Sequence, residues 1–179
     1  MQTQIPLTTD LVLIGGGHAH ALVLLRWAMD PLAGVRLTLI DPHPTAPYTG
    51  MLPGLIAGHY ARADLEMDLV KLARHAGARL ILGRATGLDP EAKTITVPGR
   101  PPIAFDVASV DVGITSDLPA LPGFADHATA AKPLGAYAAR WEAFAANPPD
   151  RPRITVLGAG VAGIELALAM QHRLPSARI

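Results

Sequence analysis

Two short apolar runs in this chain each stop at a glycine cluster and resume as a helical pattern, and that repeated punctuation limits the possible folds more than any other feature. Leu11-Val12-Leu13-Ile14 meets Gly15-Gly16-Gly17, and His18 to Met29 then reads as a helix ended by Asp30-Pro31. Ile154-Thr155-Val156-Leu157 meets Gly158-Ala159-Gly160-Val161-Ala162-Gly163, and the apolar helix Ile164 to Met170 follows. A brief apolar run bounded by glycine suits a parallel strand buried on both faces. Arg36 to Ile40 reads as a second strand closed by Asp41-Pro42, so residues 11–41 make one βαβ unit of about 30 residues.

Glycines at such a junction permit a tight turn and let the backbone approach a pyrophosphate, while the following helix offers N–H groups and the positive end of its dipole. Asp41 falls close to the spacing of roughly 20 residues at which an acid accepts ribose hydroxyls. The first cluster therefore reads as a dinucleotide site, the alternative being a plain turn between strand and helix. It carries one departure: the third glycine position holds His20, where a small residue normally allows close packing of helix on strand. A phosphate cradle survives that if the helix tilts. The second cluster, Gly158, Gly160 and Gly163, is complete, with Glu165 just after it. Its ribose-reading acid is expected some 20 residues on, beyond Ile179, so the chain reads as ending inside a second nucleotide domain.

Composition narrows the classes. Hydrophobic residues make up 50% and charged residues 17%, against a usual charged share of about 25%, which fits a packed core rather than disorder. Lys+Arg and Asp+Glu are both 15, so no net field draws nucleic acid or an anionic membrane. Aromatics at 4% leave little for base stacking. With no cysteine, disulfide frameworks, zinc thiolates and cysteine nucleophiles are excluded within these residues. No apolar run reaches the roughly 18 residues of a membrane span; Leu11 to Met29 is interrupted by glycines, histidines and Arg26. The expectation is a soluble, cytoplasmic protein without nucleic-acid partners.

Between the two clusters, Pro42 to Tyr60 reads as a tight loop with a short helix from Leu52. Asp64, Glu66 and Asp68 read as acids at a helix N-terminus ahead of Leu69, Val70, Leu72 and Ala73. Arg79 to Leu82 is a third strand, and residues 84–112 read as successive strands with tight turns. Pro119, Pro122 and Gly123 mark a loop, Leu134 to Ala146 a helix, and Asn147 to Pro152 a linker. The fold class expected is α/β.

Other chemistries fit poorly. His18 and His20, two apart on a helix, point to different sides and lack a third metal ligand; they read as solvated or cofactor-edge histidines. The acids from Asp64 imitate a calcium loop, but Leu69 and His75 stand where glycine and glutamate are required. No nucleophile elbow surrounds Ser109, Ser116 or Ser176.

Two such fingerprints with a β-rich insert between them resemble the two-dinucleotide flavoprotein family, that of the pyridine nucleotide–disulfide oxidoreductases and type II NADH dehydrogenases. The resemblance covers residues 10–173. Phe105 to Gly113 looks like the family strand ending in a glycine beside the flavin, and Gly83-Arg84-Ala85-Thr86 like the strand facing the adenine. Tyr48 to Gly54 sits where disulfide reductases carry cysteines, and here has none. Short stretches (His18-Ala19-His20, Tyr48 to Gly54, His127 to Pro133) look most like a subgroup fused to, or encoded with, selenophosphate synthetase.

The resemblance implies a Rossmann-like three-layer fold with a β-meander insert, residues 1–150 forming an FAD-binding domain whose closing segment lies downstream, and 151–179 opening an NAD(P)-binding domain. It implies FAD at Gly15, Gly16, Gly17, His18, Ala19 and His20, with its ribose on Asp41 beside Pro42. Thr49, Met51 and Leu52 would border the isoalloxazine, with Ala85 and Gly113 also on the cofactor. Gly158, Gly160 and Gly163 would hold NAD(P)H. Glu165 would face the nicotinamide–flavin region, or be a solvated helix acid. Lys132 would favour reduced flavin, or be a surface lysine. The activity implied is hydride transfer from NAD(P)H to FAD, with electrons passed to a quinone or another small acceptor.

The residues 1–179 alone are expected to retain FAD weakly or not at all. Peripheral attachment to the cytoplasmic membrane face would need residues outside this chain. Two alternatives stay open. One is a sulfide:quinone reductase-like enzyme, whose sulfide-accepting cysteines are missing here. The other is a non-catalytic nucleotide-binding module coupled to a selenophosphate synthetase.

Overall fold

The computed structural model describes residues 6–113 and 122–179; Ser116 and Pro119 fall outside them. The chain divides into two units, neither continuous in sequence: residues 1–46 with 67–113, and residues 47–66 with 114–179. This partition cuts the chain differently from a boundary at residue 150.

The first unit is built on a parallel sheet. Strands β1 (Thr9–Ile14) and β2 (Val35–Asp41) flank helix α1 (His18–Met29) in sequence and pair in parallel, Leu13 opposite Leu39. The α1 limits follow from its neighbours: Gly17 enters in an extended conformation, and Asp30-Pro31 closes the far end. Two short strands, β3 (Thr45–Pro47) and β4 (Glu66–Asp68), carry the chain out of this unit and back. Helix α2 (Leu52–Ala57) lies on that excursion. Asp68 then caps helix α3 (Leu69–His75), its side chain accepting the Lys71 N–H at 2.8 Å. Of the three acids expected at this N-terminus, only Asp68 serves it. Asp64 accepts the Ala61 N–H in a preceding 3-10 turn, and Glu66 lies in β4.

Strand β5 (Arg79–Leu82) joins β2, and after the excursion through β6 (Gly87–Asp89), β7 (Thr94–Thr96) and β8 (Ile103–Ala104), strand β9 (Val107–Val110) joins β1. The sheet order is β5-β2-β1-β9, and β6-β7-β8 form a separate antiparallel meander. Because strand side chains alternate faces, one face sends Leu13, Leu37 and Leu39 to Leu24, Trp27 and Leu69 of the helices. The opposite face sends Val12, Ile14, Ile40 and Ile81 to Ile95, Val97 and Ile103 of the meander region. The result is three layers: helices α1 and α3, a parallel sheet, and an antiparallel sheet.

Gly83 to Thr86 is not the strand expected from sequence. Gly83 N–H extends the β5 ladder to the Asp41 carbonyl, Thr86 N–H opens the meander at the Thr96 carbonyl, and the stretch between is the crossing from one sheet to the other.

The second unit packs helices. Leu52, Leu55 and Ile56 of α2 share a core with Tyr137, Ala138 and Trp141 of α5 (Leu134–Ala146) and Leu166, Ala169 and Met170 of α6 (Val161–Arg173). Gly58, at φ +84°, ends α2 in the left-handed region, and a short helix, α4 (Phe124–His127), precedes α5. Ile154 to Leu157 does not form the expected strand: among the described residues, only an isolated parallel bridge lies alongside it, pairing Arg153 with Arg178. A ladder needs a neighbour over its length, and Leu157 is left 62% exposed. Among the described residues, no helix is long and apolar enough to cross a membrane.

Candidate nucleotide-binding sites

The first site forms where β1 turns into α1. Gly15 adopts φ +91°, a left-handed conformation glycine reaches without strain, and a Cβ there would overlap the Asp111 carbonyl. Asp41, at the end of β2 and 8% exposed, accepts N–H groups from Gly16 at 2.7 Å and His43 at 2.8 Å. One bond per oxygen leaves further lone pairs on this carboxylate for hydroxyl donors. The N–H groups of Gly17 and Ala19 have no acceptor among the described residues. A glycine turn, open amides at a helix N-terminus and an acid at the next strand end fit a dinucleotide.

The histidine at the third glycine position is not solvated, and it is not at an open edge. His20 is 2% exposed. Its Nδ1 lies 2.6 Å from the Gly15 carbonyl oxygen, which can only accept, so Nδ1 carries a proton. In the neutral ring Nε2 then accepts from the Ser109 hydroxyl at 2.8 Å. The Asp111 carboxylate takes the His20 backbone N–H at 3.1 Å. Ser109 and Asp111 share the helix-facing side of the β9 segment, Ser109 standing opposite Leu13. A polar clasp of His20, Ser109 and Asp111 therefore joins α1 to β9, where the usual fingerprint has a glycine.

Ser109 and Asp111 are the site residues that sequence reasoning missed. The available signal was two polar residues at i and i+2 in an otherwise apolar strand. His18 and Ala19 are exposed on the first turn of α1, and Pro42 is exposed beside Asp41. Ala85 packs against the apolar cluster between the sheets. Among the described residues, no atom lies within 4 Å of a would-be Cβ on Gly113.

In the second unit, Thr49 is exposed in a 3-10 turn, Met51 packs against the helical core, and Leu52 is a core residue at 8% exposure. The second glycine cluster keeps the full pattern. Gly158 has φ +116°, Gly160 leads into α6 in an extended conformation, and a Cβ at Gly163 would overlap the Gly158 carbonyl. Gly163 is thus required for the helix to close on the turn. Gly158 and Gly160 meet no protein atom within 4 Å of a would-be Cβ, and with Gly163 they line a cavity of about 1010 Å³ with Phe144, Arg153 and Trp141. Glu165 is exposed on α6 and Lys132 is half-buried; neither lines this cavity, and neither forms an ion pair among the described residues. No cluster of metal-ligating side chains occurs among the described residues.

A profile of the family described as pyridine nucleotide-disulphide oxidoreductase matches residues 9–176. The NADH dehydrogenase-like protein YutJ of Bacillus subtilis (strain 168) is 27% identical over 167 residues, 90% of this chain and 45% of that protein. The demethylphylloquinone reductase NdbB of Synechocystis sp. is 23% identical over 174 residues, 92% of this chain and 43% of that protein. Among solved structures, the sulfide:quinone oxidoreductase of Aquifex aeolicus superposes with a TM-score of 0.67 at 22% identity, covering 94% of this chain and 40% of that one. The chain spans about half the length of the curated relatives it matches.

Proposed function

The chain belongs to the pyridine nucleotide-disulphide oxidoreductase family, and from that premise we propose that it is the FAD-binding part, and the opening of the NAD(P)-binding part, of an FAD-dependent NAD(P)H oxidoreductase. The family binds FAD and NAD(P)H. The observation that carries the reading is the β1–α1 turn, where open Gly17 and Ala19 amides stand close to the buried Asp41 carboxylate. In this reading residues 1–150 hold FAD and residues 151–179 begin the NAD(P)H site.

Bound at these residues, FAD would supply hydride acceptance from NAD(P)H and electron release to an acceptor, for which a quinone is proposed because one relative is named a quinone reductase. The work of this chain is binding and orientation. Gly17 and Ala19 N–H groups receive the pyrophosphate, with His18 on the same helical turn. Asp41 takes the ribose hydroxyls on its free lone pairs while holding Gly16 in place. His20 serves by fixing the Gly15 carbonyl, and so the turn, rather than by touching the cofactor. Thr49 and Met51 are proposed at the flavin ring and Gly113 at its approach. Gly158, Gly160 and Gly163 offer the equivalent cradle to NAD(P)H. Glu165 and Lys132 are proposed near the reacting rings.

The narrower affinity with flavoproteins linked to selenophosphate synthetase is supported by the His18-Ala19-His20 and Tyr48–Gly54 stretches. A cytoplasmic location, with peripheral membrane contact if the acceptor is a quinone, is part of the same reading.

An anaerobic visible spectrum of the protein expressed from its full reading frame, before and after NADH or NADPH, tests the proposal. Flavin bands that bleach with one nucleotide support it. Bands that persist under both reduce the chain to a binding module, and a folded protein without flavin refutes the FAD site.

A further inference from the structure

We propose that Asp111 sets how tightly this protein holds FAD, acting as a built-in anion that competes for the amide end of α1. The proposal rests on the FAD reading of the first glycine turn. Three features carry it. The Asp111 carboxylate already occupies one N–H of that helix end, the His20 amide at 3.1 Å. It also fills the space left by the missing side chain of Gly17, where a Cβ would fall 2.5 Å from Asp111 Cγ. The second glycine cluster has no counterpart among the described residues, since none of them comes within 4 Å of a would-be Cβ on Gly160, in the place equivalent to Gly17.

The carboxylate is held from behind. Asp111 N–H donates to the Ile14 carbonyl at 2.8 Å, and its own carbonyl lies against Gly15. Among the described residues no Lys, Arg or His ring forms an ion pair with it. A helix N-terminus presents about half a positive charge, and Asp111 sets its carboxylate against it. A pyrophosphate placed on the Gly17 and Ala19 amides is therefore received beside a carboxylate that no cationic side chain pairs among the described residues. The second turn receives its phosphates without that opposition, so one chain holds a strong and a moderated version of the same cradle.

Asp111→Asn removes the charge and keeps an oxygen for the His20 N–H. In flavin-free protein from the full reading frame, FAD titrated by fluorescence quenching is expected to bind at least about threefold tighter to Asp111→Asn at low salt. The gap is expected to narrow as salt rises, because salt screens even a half-buried repulsion in part. Riboflavin, which lacks phosphate, should bind both proteins alike, and NADH affinity should not change. Asp111→Ser provides the same comparison if the asparagine variant does not fold. Equal or weaker FAD binding by a folded variant overturns the proposal and leaves the FAD site standing. Failure of folded wild type and variant alike to bind FAD overturns the FAD reading and this proposal with it.

Discussion

Replacing His20 with glycine would complete the first fingerprint, and it is expected to destabilise the protein. The imidazole is 2% exposed and makes two hydrogen bonds. Losing the Ser109 bond costs about 1 kcal/mol, leaving the buried Gly15 carbonyl without its donor about 1–3 kcal/mol, and removing the buried ring itself about 1 kcal/mol more. Glycine in the first turn of α1 adds a few tenths of a kcal/mol relative to histidine. The loss comes to about 3–5 kcal/mol, a large part of a typical total stability of roughly 5–15 kcal/mol. For a chain of this size each kcal/mol moves the midpoint by about 2–4 °C, so Tm should fall by roughly 6–20 °C. Urea denaturation followed by Trp27 fluorescence reports on the affected unit, Trp27 being buried in α1 at 9% exposure; a Trp141→Phe background isolates that signal. Ser109→Ala alone should lose about 1 kcal/mol, and its effect should largely vanish in the His20→Gly background, because both remove the same contact. A His20→Gly protein as stable as wild type would refute the clasp.

Thr38, 1% exposed in the central strand β2, has a hydroxyl without a hydrogen-bond partner among the described residues. Thr38→Val is expected to stabilise by about 1 kcal/mol in the same urea assay. Burial of Tyr137 raises its pKa from 10.0 to about 12, so the folded state holds the phenolic proton more tightly. Its stabilising effect is complete below pH 10, is lost between pH 10 and about 12, and should disappear from the alkaline stability profile of Tyr137→Phe. The Lys71 backbone N–H, then its side chain, hold the Asp68 carboxyl below its usual 3.8. That contribution is present above pH 3.8 and lost as pH falls through the lowered value, so Asp68→Ala should flatten the acid limb of an α-helical circular dichroism titration.

What was legible in the sequence was what neighbours in the chain decide. Helices α1 and α5 have the limits expected from Gly17 and Asp30-Pro31, and from Pro133 and Asn147-Pro148. The β1-α1-β2 unit with Asp41 at its end follows from the same punctuation. What was not legible depends on partners far away. The His20 ring and amide find Ser109 and Asp111, 89 and 91 positions on, and no local pattern announces that a histidine can replace a packing glycine when a distant strand offers a hydroxyl and a carboxylate. Ile154 to Leu157 has the composition of a strand, but strand formation is a property of pairs, and only Arg178 lies in register beside Arg153.

The division of the second unit into residues 47–66 and 114–179 has a consequence for the nascent chain. Leu52, Leu55 and Ile56 are made early, but the Trp141 indole that donates to the Ile56 carbonyl at 3.0 Å lies 85 residues later. At synthesis rates of about 5–20 residues per second, α2 waits roughly 4–17 seconds for that partner. During that interval the apolar face of α2 has no core of its own to join, while its chain neighbours β3 and β4 can already pair. That window leaves α2, like α1 waiting for Ser109 and Asp111, open to a chaperone or a protease.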